Sequence, residues 1–357
     1  MSDRADRLAA GLPGIEADLI VITSLVNIRY LTGYTGSNGL ALIGPQTRAF
    51  ITDFRYAEQS AAEVDPAFER RIAALDLEEG IADLLPAGPL RLAFEDGQTT
   101  VRAHVRLREL MPDRVELVAA GDPVEALRAI KEPAEVDRIR AASELADESL
   151  AAVLEQGLAG RTEVAVADAL ERALRERGAR ALSFDSIVAA GPHGALPHAQ
   201  PRAVEIGAGE LVVIDWGAEL DGYCSDCTRT VATGELGDEA RAAYRLVREA
   251  QLAGLAAVRA GVGGREADAA ARAVIDAGGH AEHFGHGLGH GVGMEIHEAP
   301  RLSKRSEDIL AAGNVVTVEP GVYLPGRFGI RIEDLVVVTD AGGEILTSLS
   351  KDLLTVG

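Results

Sequence analysis

Along the first third of the chain, short β-like apolar runs alternate with helical ones: DLIVIT, GLALIG and RAFITD, then YAEQSAAEV, LEEGIADLLP, RLAFED, TVRAHVRLREL and VELVAA. That order predicts a compact α/β domain over residues 1–122. From Pro123 to Gly157 the pattern becomes helical and charged, and Pro133 is well placed for a first helical turn. Residues 123–157 therefore read as a helical linker and the entry helix of a second domain, over 158–357.

The second domain carries a faint internal repeat. GRTEVAVADALERALRERGA, from Gly160, and GREADAAARAVIDAGG, from Gly264, are amphipathic helices opened by Gly-Arg and lie 104 residues apart. Two β-rich runs follow each: ELVVIDWG and YCSDCTRTV in the first half, NVVTVEP and GIRIEDLVVV in the second. Asp215 and Glu319 close the first run of each half, and Asp226 and Glu333 lie in the second runs, which are expected to be strands. Each half thus delivers a pair of carboxylates. Asp221-Gly222 is a hairpin signal between Asp215 and Asp226. A two-residue turn there sets Asp215 opposite Thr228 with Asp226 diagonal to it, and a longer loop sets the aspartates more directly opposite. In IRIED the period of two places Arg331 and Glu333 on one face and Ile330 and Ile332 on the other.

Composition narrows the function. At 357 residues two domains are the natural expectation, and 47% hydrophobic with 25% charged residues describes an ordinary globular protein. A net charge of −21 disfavours nucleic acid and anionic membranes as partners. The N-terminus lacks the apolar core of a signal peptide, and no run of eighteen apolar residues occurs, so the cytoplasm is the expected compartment. Cys224 and Cys227 form a single CxxC without the second pair of a zinc ribbon, and read as reduced core thiols on opposite faces of an extended segment.

The stretch EHFGHGLGHGVGMEIHEAP, Glu282 to Pro300, holds four histidines and five glycines. Interior glycines cost a helix roughly 1 kcal/mol each, so the segment is expected to be extended or looped, with the histidines bordering a site whose other walls come from elsewhere. Carboxylates among Val and Ile strands are costly unless paired or metal-bound. Four of them with one imidazole balance two divalent cations. Oxygen-rich donors without thiolate suit Mn²⁺, with Co²⁺, Zn²⁺ or iron as alternatives. Two such ions activate a water near neutral pH and polarise a carbonyl, which is hydrolytic chemistry.

The order D-x10-D, HGxGHGVG, VEPG and RIED resembles the dinuclear-metal peptidases of the pita-bread fold, which include methionine aminopeptidase, aminopeptidase P and prolidase. The resemblance runs from about Pro133 to the C-terminus. It implies an α+β catalytic domain with a pseudo-twofold repeat, and Asp215, Asp226, His290, Glu319 and Glu333 as ligands of two ions, with Asp226 and Glu333 bridging. It also implies that His297 faces the substrate carbonyl and that Glu319 handles the proton. His286, His283 and His280 are left to packing or surface roles.

NIRYLTGYTGSNG and ITDFRYAEQS resemble the creatinase-type N-terminal domain of aminopeptidase P and prolidase, which favours the proline-directed branch. In that branch SFDSIVAAGPHGALPHAQP supplies a substrate-side histidine, here His198. Arg331 orders the carboxylates or the substrate, and Arg301, in HEAPRLS, matches a position that meets a proline carboxylate. The expected function is Xaa-Pro aminopeptidase activity with Xaa-Pro dipeptide cleavage, in a homodimer whose N-terminal domain reaches towards a neighbour's active site. The alternatives are a strict prolidase, a metal-free creatine hydrolase and an inactive binding module of the same shape. The complete ligand set argues against the last two, and a metal count of about two per chain would separate them from a peptidase.

Overall fold

The computed structural model describes residues 2–357 except Leu75; Met1 and Leu75, both inside the expected N-terminal domain, lie outside the description. Contacts divide the chain into two units, Met1–Arg128 and Ala129–Gly357.

The first unit is built on a six-stranded sheet, in the order Glu69–Ala73, Thr47–Asp53, Leu40–Gly44, Leu19–Ile22, Leu90–Phe94 and Val115–Ala119. The three strands Leu19–Ile22, Leu40–Gly44 and Thr47–Asp53 pair antiparallel, and the outer pairings are parallel. LEEGIADLLP forms two single 3₁₀ turns, Glu78–Gly80 and Ala82–Leu84, around a buried Ile81. The edge strand Glu69–Ala73 is charged and exposed, so it carries no apolar signature; such charge is what keeps an open edge from pairing with another chain.

The stretch expected as a linker is helical. It holds Pro123–Ala129 and then Pro133–Leu154, the latter opened by a capping box between Glu132 and Glu135. In the second unit this helix and Glu163–Glu176 pack on the antiparallel strands Ile187–Ala190, Leu211–Trp216 and Cys227–Ala232. Helices Asp238–Ala257 and Gly264–Ala277 pack in the same way on strands that include Val315–Val318 and Asp334–Val338. Each half is thus a helix pair on antiparallel strands, and the repeat read from the sequence is present in three dimensions.

Each half also contains a hairpin whose ladder is broken in the middle. In the first, Asp215 pairs with Thr228 and Glu219 with Cys224 across a tight turn at Asp221 and Gly222, both at positive φ. This is the two-residue turn. In the second, Val318 pairs with Asp334 and Gly321 with Arg331. Asp226 and Glu333 were expected inside strands, but each stands in the gap instead: Asp226 precedes Cys227–Ala232, and Glu333 lies between Phe328–Arg331 and Asp334–Val338. Freed from its own ladder, the Glu333 amide donates to Thr228 O across the halves, at 3.1 Å. The gaps are where carboxylates converge.

Candidate active site

Three of the four acids, Asp226, Glu319 and Glu333, stand in those gaps, and the fourth, Asp215, lies in the adjoining ladder on Leu211–Trp216. One oxygen each of Asp215, Asp226 and Glu333 lies within 4.8 Å of the others. Glu319 follows directly on Val315–Val318, and its Oε1 accepts from Thr317 Oγ1 at 3.0 Å. His290 closes the group, its Nε2 standing 3.5 Å from Asp226 Oδ2 and 3.4 Å from Glu319 Oε1.

The glycine-rich stretch explains how His290 gets there. It is extended, as expected, with Gly289–Gly291 paired between Glu298–Leu302 and Val315–Val318. A side chain at Gly289 would meet Thr317 O at 2.0 Å, and one at Gly291 would meet Ala299 O at 2.1 Å. Glycine on either side therefore lets the histidine strand sit tightly against both neighbours. The Nδ1–H of His290 donates to Gly291 O at 3.0 Å, which fixes the tautomer and leaves the Nε2 lone pair facing the acids. Burial lowers its pKa to about 3, so the ring is neutral.

The electrostatics call for a cation. Burial, then repulsion from Glu333 and Asp215, raises Asp226 well above the usual carboxylate range. Burial, then Glu319 and Asp215, does the same to Glu333, and burial lifts Glu319 to about 7. Asp215 Oδ2 accepts from Arg331 Nη2 at 2.6 Å, while its Oδ1 is buried without a hydrogen-bond partner among the described residues. An orphaned carboxylate oxygen, three acids destabilised by one another and a neutral imidazole aimed at them are the donor set of a divalent-metal site. The residues present fit such ions.

A cavity of about 540 Å³ opens on this cluster. All nine residues singled out from the sequence line it: His198, Asp215, Asp226, His290, His297, Arg301, Glu319, Arg331 and Glu333. The ring of His297 packs edge-on to His290 with centroids 4.4 Å apart, and burial followed by the charge of Arg301 lowers its pKa. The Arg301 backbone donates to Asp308, but its guanidinium has no hydrogen-bond partner among the described residues. His198 is exposed on the rim.

Arg331 is 3% exposed and organises the wall. Besides Asp215, it donates to Thr228 Oγ1 (2.9 Å), Tyr323 Oη (2.8 Å) and Pro197 O (3.1 Å). Thr228 passes the contact on to Glu333 Oε2 at 2.7 Å. Tyr323 donates to His286 Nε2 at 3.0 Å, since His286 Nδ1–H is used on Gly287 O. His286, assigned no particular role from sequence, therefore lines the same cavity as a neutral ring, lowered by burial to about 4. Thr228, Tyr323 and His286 escaped the sequence reading because a Thr and a Tyr inside β runs look like sheet residues, and His286 competed with three neighbours.

The two cysteines are free and buried in different cores, Cys224 with Ile139 and Val292, and Cys227 with Trp216 and Ile214. Burial raises both thiols, Cys224 to about 12, so neither is a thiolate donor to the site.

Comparison with known proteins agrees with this chemistry. Residues 137–340 match metallopeptidase family M24, and residues 4–130 match the creatinase/prolidase N-terminal domain. An uncharacterized peptidase of Bacillus subtilis is 44% identical over 94% of this chain and 95% of its own length. Among solved structures, an Xaa-Pro dipeptidase from Bacillus anthracis superposes with a TM-score of 0.96 at 38% identity, covering 99% of both chains. An X-Pro aminopeptidase from Thermotoga maritima gives 0.90 at 36% identity, over 97% of this chain and all of the other.

Proposed function

The chain belongs to metallopeptidase family M24, and on that premise we propose that it hydrolyses the bond between an N-terminal residue and a following proline. The observation that carries this reading is the convergence of four carboxylates, a neutral His290 and three further histidines, His198, His286 and His297, in one cavity. Relatives named for Xaa-Pro cleavage supply the substrate class.

In this proposal Asp215, Asp226, His290, Glu319 and Glu333 would hold two divalent ions. Mn²⁺ is the ion best matched to the oxygen-rich donors. When bound, the ions supply an activated water and polarise the scissile carbonyl. The protein's own residues do the rest. Arg331 holds Asp215 by one oxygen and leaves the other free to ligate. Glu319, braced by Thr317, takes the proton of the attacking water and delivers it to the proline nitrogen. That nitrogen, like any amide nitrogen, must gain a proton to leave as an amine. His297 and His198 donate to the carbonyl oxygen as negative charge develops on it.

Both dipeptides and longer peptides are proposed as substrates, with the aminopeptidase activity dominant. The N-terminal segments that resemble aminopeptidase P support the longer substrates. The Arg301 guanidinium, without a hydrogen-bond partner among the described residues, supports a free proline carboxylate as the alternative emphasis. A cytoplasmic homodimer completes the proposal. Among the described residues, no helix is long and apolar enough to cross a membrane. The test is hydrolysis of a panel of Ala-Pro and Ala-Ala peptides after metal reconstitution: cleavage confined to Xaa-Pro bonds is expected, and equal cleavage of both would refute proline direction.

A further inference from the structure

We propose that Glu163 is a positioning residue for His198; the inference rests on the role of His198 proposed above. Glu163 occupies the first turn of Glu163–Glu176, where an acid ordinarily faces solvent and complements the helix dipole. This one does not. It is 1% exposed, and the helix is capped by Thr162, whose hydroxyl accepts from the Ala165 amide.

Both oxygens of Glu163 are committed to the segment that carries His198. Oε1 accepts from the Ala190 amide at 3.0 Å and from Arg202 Nη2 at 3.0 Å. Oε2 accepts from the Arg202 amide at 2.9 Å and from Arg202 Nε at 3.0 Å. His193 Nδ1 lies 3.0 Å from Oε2. Ala190 and Arg202 bracket His198, so a single buried carboxylate ties together the two ends of its loop. Between them the chain forms only the 3₁₀ turn Gly191–Ala195 and then runs without helix or strand.

The tip is held from the opposite side, where Arg331 donates to Pro197 O, one residue before His198. The imidazole of His198 has no hydrogen-bond partner among the described residues and is exposed, so the backbone alone sets where it stands. An irregular, partly exposed segment of this kind opens more readily than a strand or helix unless tied down, and a misplacement of about 1 Å in a reacting group costs on the order of 10²-fold in rate. Beside backbone hydrogen bonds such as Val164 N–H to Arg202 O, Glu163 at the base and Arg331 at the tip supply the side-chain ties.

The test is a double-mutant cycle on the Mn²⁺-reconstituted protein, with kcat and KM on an Ala-Pro peptide, bound metal and melting temperature read for each variant. Glu163→Gln keeps the volume but replaces one acceptor oxygen with an amide NH₂, a donor set against amide and guanidinium donors. It is expected to lower kcat about 10- to 100-fold at unchanged metal content. In a His198→Ala background the same change should cost less than about 2-fold more, because it acts through the missing ring. Multiplying losses, or full activity of Glu163→Gln, would overturn the proposal while leaving His198 in place. If His198→Ala alone were fully active, the role of that histidine would fall and this inference with it. Should Glu163→Gln fail to fold, Arg202→Gln, which releases the half-exposed side of the same tie, enters the cycle with the same expectation and the same overturning result.

Discussion

The hydroxyl of Thr228 stands between Arg331 and Glu333, accepting from the guanidinium at 2.9 Å and donating to the carboxylate at 2.7 Å. It joins the two halves of the second unit, since Thr228 belongs to the first hairpin and the other two residues to the second. Thr228→Val keeps the shape and removes both contacts. Metal affinity or activity should fall by about 10- to 100-fold, the usual cost of losing a partner that orients a ligand, with the fold intact. A metal titration followed by a peptidase assay measures both, and wild-type values would show that Glu333 orients itself.

Ligands and helpers should separate by metal content. Glu333→Ala removes a carboxylate placed between the halves and is expected to lose metal and activity together. His198→Ala should retain its metal and lose about 10²- to 10⁴-fold in rate. Elemental analysis beside kcat distinguishes the two, and equal metal loss in both variants would contradict the assignment.

The tie at Glu163 also makes a pH prediction. Burial pushes this carboxyl up, but Arg202, the Ala190 and Arg202 amides and His193 outweigh it and hold the folded pKa below the ordinary value. A depressed folded pKa contributes stability that is complete above the unfolded value of about 4.3 and is lost as pH falls through the lower folded one. Wild type should therefore melt above Glu163→Gln at pH 7, and the gap should close as the pH drops below about 4. Melting curves of both proteins from pH 7 to pH 3 test it; a gap that stays constant means that Glu163 carries no charge-dependent stability.

A substitution at Arg301 tests the choice between short and long substrates. Arg301→Ala should weaken kcat/KM for Ala-Pro more than for Ala-Pro-amide or an Ala-Pro-Xaa-Xaa peptide, because only the dipeptide places a carboxylate at the proline. If wild type cleaves only Ala-Pro and the variant loses that cleavage alone, the enzyme is a strict dipeptidase.

Much of this site was legible because its residues break a local rule. Asp215, Glu319 and Glu333 interrupt apolar β runs, and Gly289 and Gly291 flank a histidine where helix formers would otherwise stand. Residues that obey local rules stayed hidden. Glu163 is an acid in the first turn of a helix, where one is expected on dipole grounds; only the structure shows it turned inward onto a distant loop. Tyr323 reads as core, yet its hydroxyl bridges Arg331 and His286. The gaps that receive Asp226 and Glu333 were hidden too, since they arise where the two hairpins meet and not from either hairpin's own sequence. In the first unit, the strand Glu69–Ala73 carries no alternation, because an exposed edge has no apolar face to bury.

The most direct measurement is a titration of chelated, metal-free protein with Mn²⁺ in which bound metal per chain and hydrolysis of Ala-Pro peptides are followed together. Activity should be absent without metal and rise to its full value as occupancy approaches about two ions per chain, the number that the charge of four carboxylates balances. Full activity in the metal-free protein, or a fully loaded protein that cleaves no Xaa-Pro bond, would contradict the account.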